Sequence, residues 1–406
     1  MKFIILQDIP YRHPEGALTQ YHGIIWAEEL RRLGHEATKM VIGDPSMVKP
    51  DCPLLSVSTR EQRHDPKFWK EQNADCVLYY CGPNEASIRT IKAIKTGAAR
   101  TKVIARIEGF GAPEQKSVWR TLRRILERYT VNRHCPTELF SYEKRPVIAA
   151  GLRTFAQIAN ELIAPARERW IDVADAADRI TFFFPRLVNQ ARDYYVKCGR
   201  NDLAEKVRWC GYPVRPVFHP EQKGAKTPAS VISIANWRHV KDPELTADAM
   251  AIVLRGNPLA TYTMIGMRSE RIANRLISVV PEAVSRIRTY EHIDNWKLPE
   301  LLASSQIFLL CSHKEGIPSV LSEALCCGCS LALAPSPACG AFKDYIANGD
   351  GTLASSRQPR DVADAIQAEL AMWSSGKHTA DAIATKWEET TVSALCKELI
   401  EFSATP

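Results

Sequence analysis

The chain has 406 residues, of which 45% are hydrophobic and 24% charged, with 20 Gly and 25 Pro, and this composition excludes collagen-like, low-complexity and disordered proteins. At roughly 100–200 residues per domain, the length predicts two or three domains that each bury a core. The 53 Lys and Arg residues exceed the 46 Asp and Glu residues, which gives a formal net charge of +7 and favours phosphates, anionic lipid headgroups or nucleic acid without requiring any of them.

The first half of the chain alternates apolar runs of strand length with amphipathic stretches of helical length. A predicted strand at Phe3–Leu6 precedes a predicted helix at Leu18–Leu33, which Gly34 ends. The further predicted strands are Ala37–Ile42, Cys76–Tyr80, Val103–Ile107, Ile180–Phe184 and Lys206–Cys210. This alternation is typical of βα units and predicts an α/β fold with a doubly wound parallel sheet.

The proline-dense segment 211–224 reads as a linker, and the alternation restarts after it. The later predicted strands are Val231–Ala235, Thr261–Ile265, Ser285–Tyr290, Ile307–Cys311 and Ser330–Ala334, and the predicted helices are Pro243–Arg255, Leu298–Ser304, Pro318–Cys326 and Thr379–Phe402. The sequence therefore predicts two Rossmann-like domains, 1–212 and 213–378, and a C-terminal helix over 379–406 that returns to the first domain.

The cellular location is predicted from the N-terminus and the cysteines. The apolar run Phe3–Leu6 is too short for a signal-peptide core or a membrane span. Cys76 and Cys311 lie in apolar contexts, as buried thiols of a reducing compartment do. We therefore expect a cytoplasmic protein, with peripheral contact at the inner membrane face left open.

A predicted anion site follows the apolar strand Ile307–Cys311. The turn Gly316-Ile317-Pro318 leads into a helix, where Pro318 suits the first helical position and Gly316 allows close approach of a ligand. The next three backbone amides would face outward at the positive end of the helix dipole, at the carboxyl end of a parallel strand. These amides belong to Ser319, Val320 and Leu321.

Two carboxylates bracket this turn, Glu315 before it and Glu323 within the helix. Because a carboxylate only accepts hydrogen bonds, such a pair beside a diphosphate suits the hydroxyls of a ribose and of a second sugar. The alternative interpretation is one helix-capping glutamate and one solvated glutamate.

A pair of cations, Arg238 and Lys241, follows the predicted strand Val231–Ala235. Arg offers phosphate a planar fork of donors and Lys a mobile point charge, and the spacing lets both reach one ligand. An Arg and a Lys at this spacing more often form a solvated surface pair, and the position after a strand favours the binding role.

The pattern Glu315-Gly316-x-Pro318, followed by Glu323-Ala324 and Gly328, resembles the Glu-(seven residues)-Glu motif of retaining GT-B glycosyltransferases of family 4. The segment 234–241 resembles the phosphate-gripping segment of that family. Gly16 with the ensuing helix, the glycines of 340–351 and Trp387 also occur in the family's order, so the resemblance covers most of the chain.

This resemblance implies a GT-B fold, in which two Rossmann-like domains face a cleft that holds the sugar nucleotide. It also implies transfer of a sugar, most often from a UDP-sugar, to a hydroxyl acceptor in glycan, capsule or glycolipid synthesis. Glu315, Arg238 and Lys241 would be catalytic, and Glu108 is the fourth residue that we predict to be catalytic. Donor contacts would also come from Gly316, Ile317, Pro318, Ser319, Val320, Leu321, Glu323, Gly16 and Tyr290. No cofactor or metal ion is expected, since Arg238, Lys241 and the helix N-terminus would neutralise the diphosphate.

Two segments depart from the family pattern. Glu108 stands where the family commonly has a histidine, and it would accept a hydrogen bond from the acceptor hydroxyl, complement a cationic acceptor or merely cap a loop. The glycine-rich turn after Thr261–Ile265 is reduced to Gly266-Met267-Arg268-Ser269, which puts its nucleotide contacts in doubt.

Other hypotheses stay open beside the transferase. The segment 116–133 predicts a helix with a basic face that would meet anionic lipid, an acidic acceptor or only its own domain. The chain would instead be a GT-B sugar-nucleotide 2-epimerase or a silent nucleotide-sugar-binding subunit. Nucleic acid is not expected, because no recognition motif accompanies the modest excess charge.

Overall fold

A computed structural model of the chain describes residues 1–11, 18–45, 53–107, 125–126, 129, 147–163, 169–222, 225–315, 318–336 and 340–405. The chain divides into two compact units. The first comprises Met1–Glu114, Ala166–Arg215 and Glu389–Pro406, and the second comprises Gln115–Pro165 and Pro216–Glu388. The domain limits given by the sequence, 1–212, 213–378 and 379–406, stay predictions.

The strands in chain order are β1 Lys2–Pro10, β2 Glu36–Ile42, β3 Leu55–Ser58, β4 Cys76–Tyr80, β5 Lys102–Ile107, β6 Arg179–Phe182, β7 Val207–Trp209, β8 Ser230–Ile234, β9 Thr261–Ile265, β10 Ile287–Tyr290, β11 Ile307–Leu310, β12 Ser330–Leu333 and β13 Gly351–Leu353.

The helices in chain order are α1 Leu18–Arg32, α2 Arg60–Arg63, α3 Pro66–Gln72, α4 Glu85–Gly97, α5 Val147–Ile163, α6 Trp170–Ala176, α7 Pro185–Lys197, α8 Asn201–Glu205, α9 Pro243–Gly256, α10 Ser269–Val279, α11 Leu298–Ser304, α12 Ser319–Cys326, α13 Ala341–Tyr345, α14 Pro359–Ser374, α15 Ala380–Trp387 and α16 Val392–Ala404. Among the described residues, no helix is both long enough and apolar enough to cross a membrane.

Within the described residues, the first unit holds a seven-stranded sheet with the spatial order β3-β2-β1-β4-β5-β6-β7. All of its strand pairs are parallel. The order reverses between β1 and β4, and in open α/β sheets the carboxyl ends of the strands at such a reversal form a crevice that binds ligands.

The second unit holds, within the same described part, a six-stranded parallel sheet with the order β10-β9-β8-β11-β12-β13. Here the order reverses between β8 and β11. Every residue of β11 and β12 is buried, which explains why β11, and β12 after Ser330, are continuous apolar runs rather than alternating ones. The two predicted parallel-sheet domains are thus confirmed.

The C-terminal segment is two helices, not the single helix that the sequence predicts. The side chain of Thr379 accepts the Ala382 amide at the start of α15, and Thr391 accepts the Ala394 amide at the start of α16. The second cap starts a new helix after the turn Glu388–Thr390.

The two C-terminal helices also belong to different units. Helix α16 packs in the first unit, where Ser393 Oγ donates to Glu29 Oε1 on α1 at 2.6 Å. Trp387, at the end of α15, belongs to the second unit and stacks on the Tyr345 ring with centroids 5.6 Å apart.

Candidate functional site

The turn after β8 and the loop after β11 meet at the reversal point of the second sheet. The His313 amide donates to the Val240 carbonyl at 2.8 Å and joins the two segments through the backbone. Beside this bond, Lys241 Nζ lies 2.5 Å from Glu315 Oε1. Two residues that the sequence singled out from motifs 74 positions apart are therefore in direct contact.

The contact between Lys241 and Glu315 limits the charge and the mobility that each side chain offers to a ligand. The side chains of Lys241 and Glu315 are 24% and 12% exposed, so the pair is largely shielded from water yet still reachable by a ligand. The Lys241 charge already balances the Glu315 carboxylate, and the carboxylate accepts a hydrogen bond from the ammonium. Lys241 is therefore held in place by Glu315 and is not a mobile point charge.

Arg238 lies at the start of the same turn. Its carbonyl accepts the Lys241 amide at 2.9 Å, and its own amide donates to the Asn236 carbonyl at 2.8 Å, so the backbone on both sides of the side chain is fixed. The side chain is half-buried. No hydrogen bond or ion pair joins its guanidinium to another residue in the part of the chain that the structure describes. This arrangement suits the capture of an anion.

The helix predicted after the turn begins one residue later than expected. Pro318 is the N-cap of α12, with a ψ of 86° that is not helical, and Ser319 is the first helical residue. The Leu321 amide donates to the Pro318 carbonyl at 3.0 Å. It is therefore engaged within the turn and does not face outward, which corrects the sequence prediction and leaves Ser319 and Val320 as the amides of the proposed site.

Glu323 lies on the partly exposed side of α12. It is one helical turn after Ser319 and shares its face, and both are partly exposed, whereas Leu321 and Ser322 between them are buried. The Glu323 carboxylate thus lies on the same face of α12 as Ser319, in the first turn of the helix.

The role of Tyr290 as a donor contact stays a prediction. Tyr290 ends β10, which is the edge strand, two strands away from β8. Its carbonyl accepts the Gly266 amide at 2.8 Å. Gly266 has a φ of 114°, and a Cβ there would lie 2.1 Å from the Ala235 carbonyl oxygen, so only glycine lets the turn after β9 lie against the end of β8.

Four predicted site residues lie outside the described residues: Gly16, Glu108, Gly316 and Ile317. The predicted basic helix 116–133 also lies outside them, apart from positions 125, 126 and 129. Their roles stay predictions.

The sequence reasoning missed three charged or titratable side chains beside the site: Asp242, His313 and Arg357. Asp242 Oδ2 lies 2.8 Å from His313 Nε2 and accepts from Arg357 Nη2 at 2.7 Å. Burial alone would raise the pKa of Asp242, but hydrogen bonds and charge from His313 and Arg357 outweigh it and hold that pKa well below its ordinary value. The carboxylate is therefore charged at neutral pH.

The sequence around Asp242 contains a pattern that predicts its place at the start of a helix. Asp242 is followed by Pro243, and an Asp before a Pro predicts an N-cap and a first helical position. The structure confirms this local pattern, since Asp242 Oδ1 accepts the Leu245 amide of α9 at 3.3 Å. Its φ of 49° lies in the left-handed region, which aspartate tolerates better than most residues.

A cavity of about 410 Å³ opens at the reversal point of the first sheet. It is lined by the ends of β1, β4 and β5 and by the loop before α4, namely Gln7, Asp8, Ile9, Tyr80, Cys81, Gly82, Pro83, Asn84, Arg106 and Ile107. Asp8 offers carboxylate oxygens there, and Arg63 Nη1 and the Tyr79 hydroxyl hold them at 2.7 and 2.5 Å. The size fits a small polar ligand.

A comparison with models of protein families finds a match for the part of the chain that contains the second sheet. Residues 215–385 match the sequence model of the family described as glycosyl transferases group 1. Residues 215–385 are therefore similar to a glycosyl transferases group 1 domain. This segment contains Arg238, Lys241, Glu315 and Glu323, as well as Arg357, which the sequence reasoning missed. A search of curated proteins finds no match.

Solved structures show a likeness in fold over nearly the whole chain. Anabaena Alr3699/HepE in complex with UDP has a TM-score of 0.57 at 13% identity, covering 99% of each chain. The lipopolysaccharide outer core galactosyltransferase WaaB, in its apo form, has a TM-score of 0.56 at 14% identity, covering 100% of each chain. Sucrose-phosphate synthase from Thermosynechococcus elongatus has a TM-score of 0.54 at 14% identity, covering 99% of this chain and 98% of that one. The fold is GT-B.

Proposed function

We propose that the chain is a retaining, metal-independent glycosyltransferase that moves a sugar from a UDP-sugar to a hydroxyl acceptor in glycan, capsule or glycolipid synthesis. The observation that carries the proposal is the contact of Lys241 with Glu315 beside the half-buried Arg238, at the reversal point of the second sheet. The match to the glycosyl transferases group 1 family and the UDP complex of Anabaena Alr3699/HepE support the donor class.

The donor diphosphate lies, in this proposal, against Arg238, Lys241 and the Ser319 and Val320 amides. These groups stabilise the charge that grows on the leaving diphosphate as the anomeric bond breaks, and they do so in a shielded site where such interactions are strong. Glu323 accepts hydrogen bonds from the ribose hydroxyls, and Glu315 accepts them from the donor sugar.

The transfer exchanges one bond for another on the same face of the donor sugar. The bond from the anomeric carbon to the diphosphate oxygen breaks, a bond from that carbon to the acceptor oxygen forms, and the acceptor proton passes to the departing phosphate oxygen. Glu315 does not attack the anomeric carbon, since its carboxylate is paired with Lys241. Its role is to orient the sugar.

The acceptor binds in the cavity of the first unit. The Asp8 carboxylate faces this cavity already charge-balanced by Arg63, so it accepts hydrogen bonds from hydroxyl groups without adding a bare negative charge. Glu108, as the sequence suggested, would accept a hydrogen bond from the acceptor hydroxyl.

A thermal-shift screen of UDP, GDP and ADP in the presence of EDTA tests the proposal. A ligand at a hundred times its dissociation constant stabilises the folded state by about 2.7 kcal/mol, and we expect UDP to give a stabilisation of this order without a metal ion. A shift that appears only after Mg²⁺ or Mn²⁺ is added would contradict metal independence. No shift with any of the three nucleotides would contradict the donor class.

NMR of the donor then separates the transferase from its rivals. The transferase requires an acceptor, whereas an epimerase converts a UDP-sugar into its 2-epimer when the donor is incubated alone with the protein. A silent binding subunit would give a thermal shift but no change in any donor, with or without candidate acceptors.

A further inference from the structure

Arg357 connects three segments at the carboxyl edge of the second sheet. It lies in the loop between β13 and α14, and it is 19% exposed. Its Nη1 donates to the Pro335 carbonyl at 2.8 Å, and its Nη2 donates to the Cys311 carbonyl at 2.5 Å and to Asp242 Oδ2 at 2.7 Å. One guanidinium thus holds the chain where it leaves β11 and β12 and at the turn after β8.

The segments that Arg357 holds are the ones that carry the proposed donor residues. Asp242 directly follows Lys241, and His313, which also contacts the Asp242 carboxylate, is two residues before Glu315. The backbone bond from the His313 amide to the Val240 carbonyl closes the same connection. The Asp242, His313 and Arg357 cluster therefore joins the two segments that carry Lys241 and Glu315.

We infer that Arg357 is a positioning residue for donor binding, acting through Asp242 and the 311–315 loop; this inference rests on the proposed function. Both terminal nitrogens of Arg357 are already engaged by protein acceptors, so its part is to set the distance between the Lys241 turn and the Glu315 loop rather than to touch the donor. In a preorganised catalytic site, a displacement of 1 Å lowers the reaction rate by about a hundredfold.

The second unit offers a matched control at another place in the sheet. Arg286 also uses both terminal nitrogens on backbone carbonyls, with Nη1 donating to Asn257 and Ala260 and Nη2 to Leu254, each at 3.0 Å. It lies just before β10, at the amino edge of the sheet and away from the Lys241 turn. Arg286→Met therefore removes a comparable set of structural hydrogen bonds without touching the proposed site.

The experiment is calorimetric titration of the full chain with UDP, at a temperature where each variant is folded by circular dichroism. We expect Arg357→Met to weaken UDP binding by roughly tenfold to a hundredfold, and Arg286→Met to lower the unfolding temperature while leaving UDP affinity within about twofold of wild type. Arg357→Lys should fall between the wild type and Arg357→Met, because a lysine can keep the contact with Asp242 but not the fork to two carbonyls.

The outcomes separate the inference from the proposed function. If wild type binds UDP and the two methionine variants bind it equally well, Arg357 is only structural and the inference is wrong. If Arg357→Met does not fold, Arg357→Lys decides, and wild-type affinity in that variant overturns the inference. If wild type binds no nucleoside diphosphate at all, the proposed function fails and the inference fails with it.

Discussion

Replacing Arg238 by alanine should lower the turnover of the proposed transfer by about 10²–10³-fold, which corresponds to roughly 3–4 kcal/mol of lost transition-state stabilisation. The physical reason is that the guanidinium supplies a fixed charge to the leaving diphosphate in a partly shielded site. Folding should change little, because within the described residues no protein group depends on that guanidinium. Turnover is measured as release of nucleoside diphosphate, and stability by urea unfolding.

The control for this prediction is Arg275→Ala. Arg275 lies in the same unit and pairs with Asp248 at 3.2 Å, but both side chains are more than 40% exposed. An exposed pair of this kind contributes at most about 1 kcal/mol, and its loss should leave turnover unchanged. Near wild-type turnover in Arg238→Ala would show that the site is misassigned.

The pair formed by Lys241 and Glu315 should behave non-additively. Lys241→Met leaves the shielded Glu315 carboxylate without its cation, so we expect the free energy of unfolding to fall by on the order of 1–3 kcal/mol and turnover to fall by about 10²–10³-fold. Adding Glu315→Gln removes the uncompensated charge. The double variant should therefore recover most of the unfolding free energy but none of the turnover.

This double-mutant cycle distinguishes an ion pair that only stabilises the fold from one that also contributes to turnover. It needs urea unfolding and turnover for wild type, both single variants and the double variant. Lys297→Met, at a pair with Asp294 that is largely exposed, provides the same chemical change outside the site and should leave both measurements near wild type. Recovery of turnover together with stability in the double variant would mean that the pair only holds the fold.

Long apolar runs made most of the fold predictable. Cys76–Tyr80, Thr261–Ile265 and Leu298–Ser304 have the predicted limits, because each is an apolar or strongly patterned segment between clear breaks. Strands β3 and β13 were missed. They have four and three residues and no fully buried run, so their pairing with β2 and β12 is decided by the sheet and not by their own pattern.

The site was predictable where its chemistry is local in sequence. Arg238, Lys241, Glu315 and Glu323 follow strands at motif spacing, and the sheet order places the segment after β8 beside the segment after β11. Arg357 has no such pattern, because its partners lie on three segments that only the folded sheet brings together. The prediction that the Leu321 amide faces outward was wrong for a related reason. The sequence does not show that this amide donates to the Pro318 carbonyl within the turn.

In the proposed function, Arg238, Lys241 and the first amides of α12 bind one pyrophosphate. A crystal structure of the full chain with UDP, grown in EDTA, tests it most directly. We expect pyrophosphate oxygens within about 3.2 Å of the Arg238 guanidinium, Lys241 Nζ and the Ser319 or Val320 amide. Density for UDP with its pyrophosphate in contact with none of these groups would contradict it.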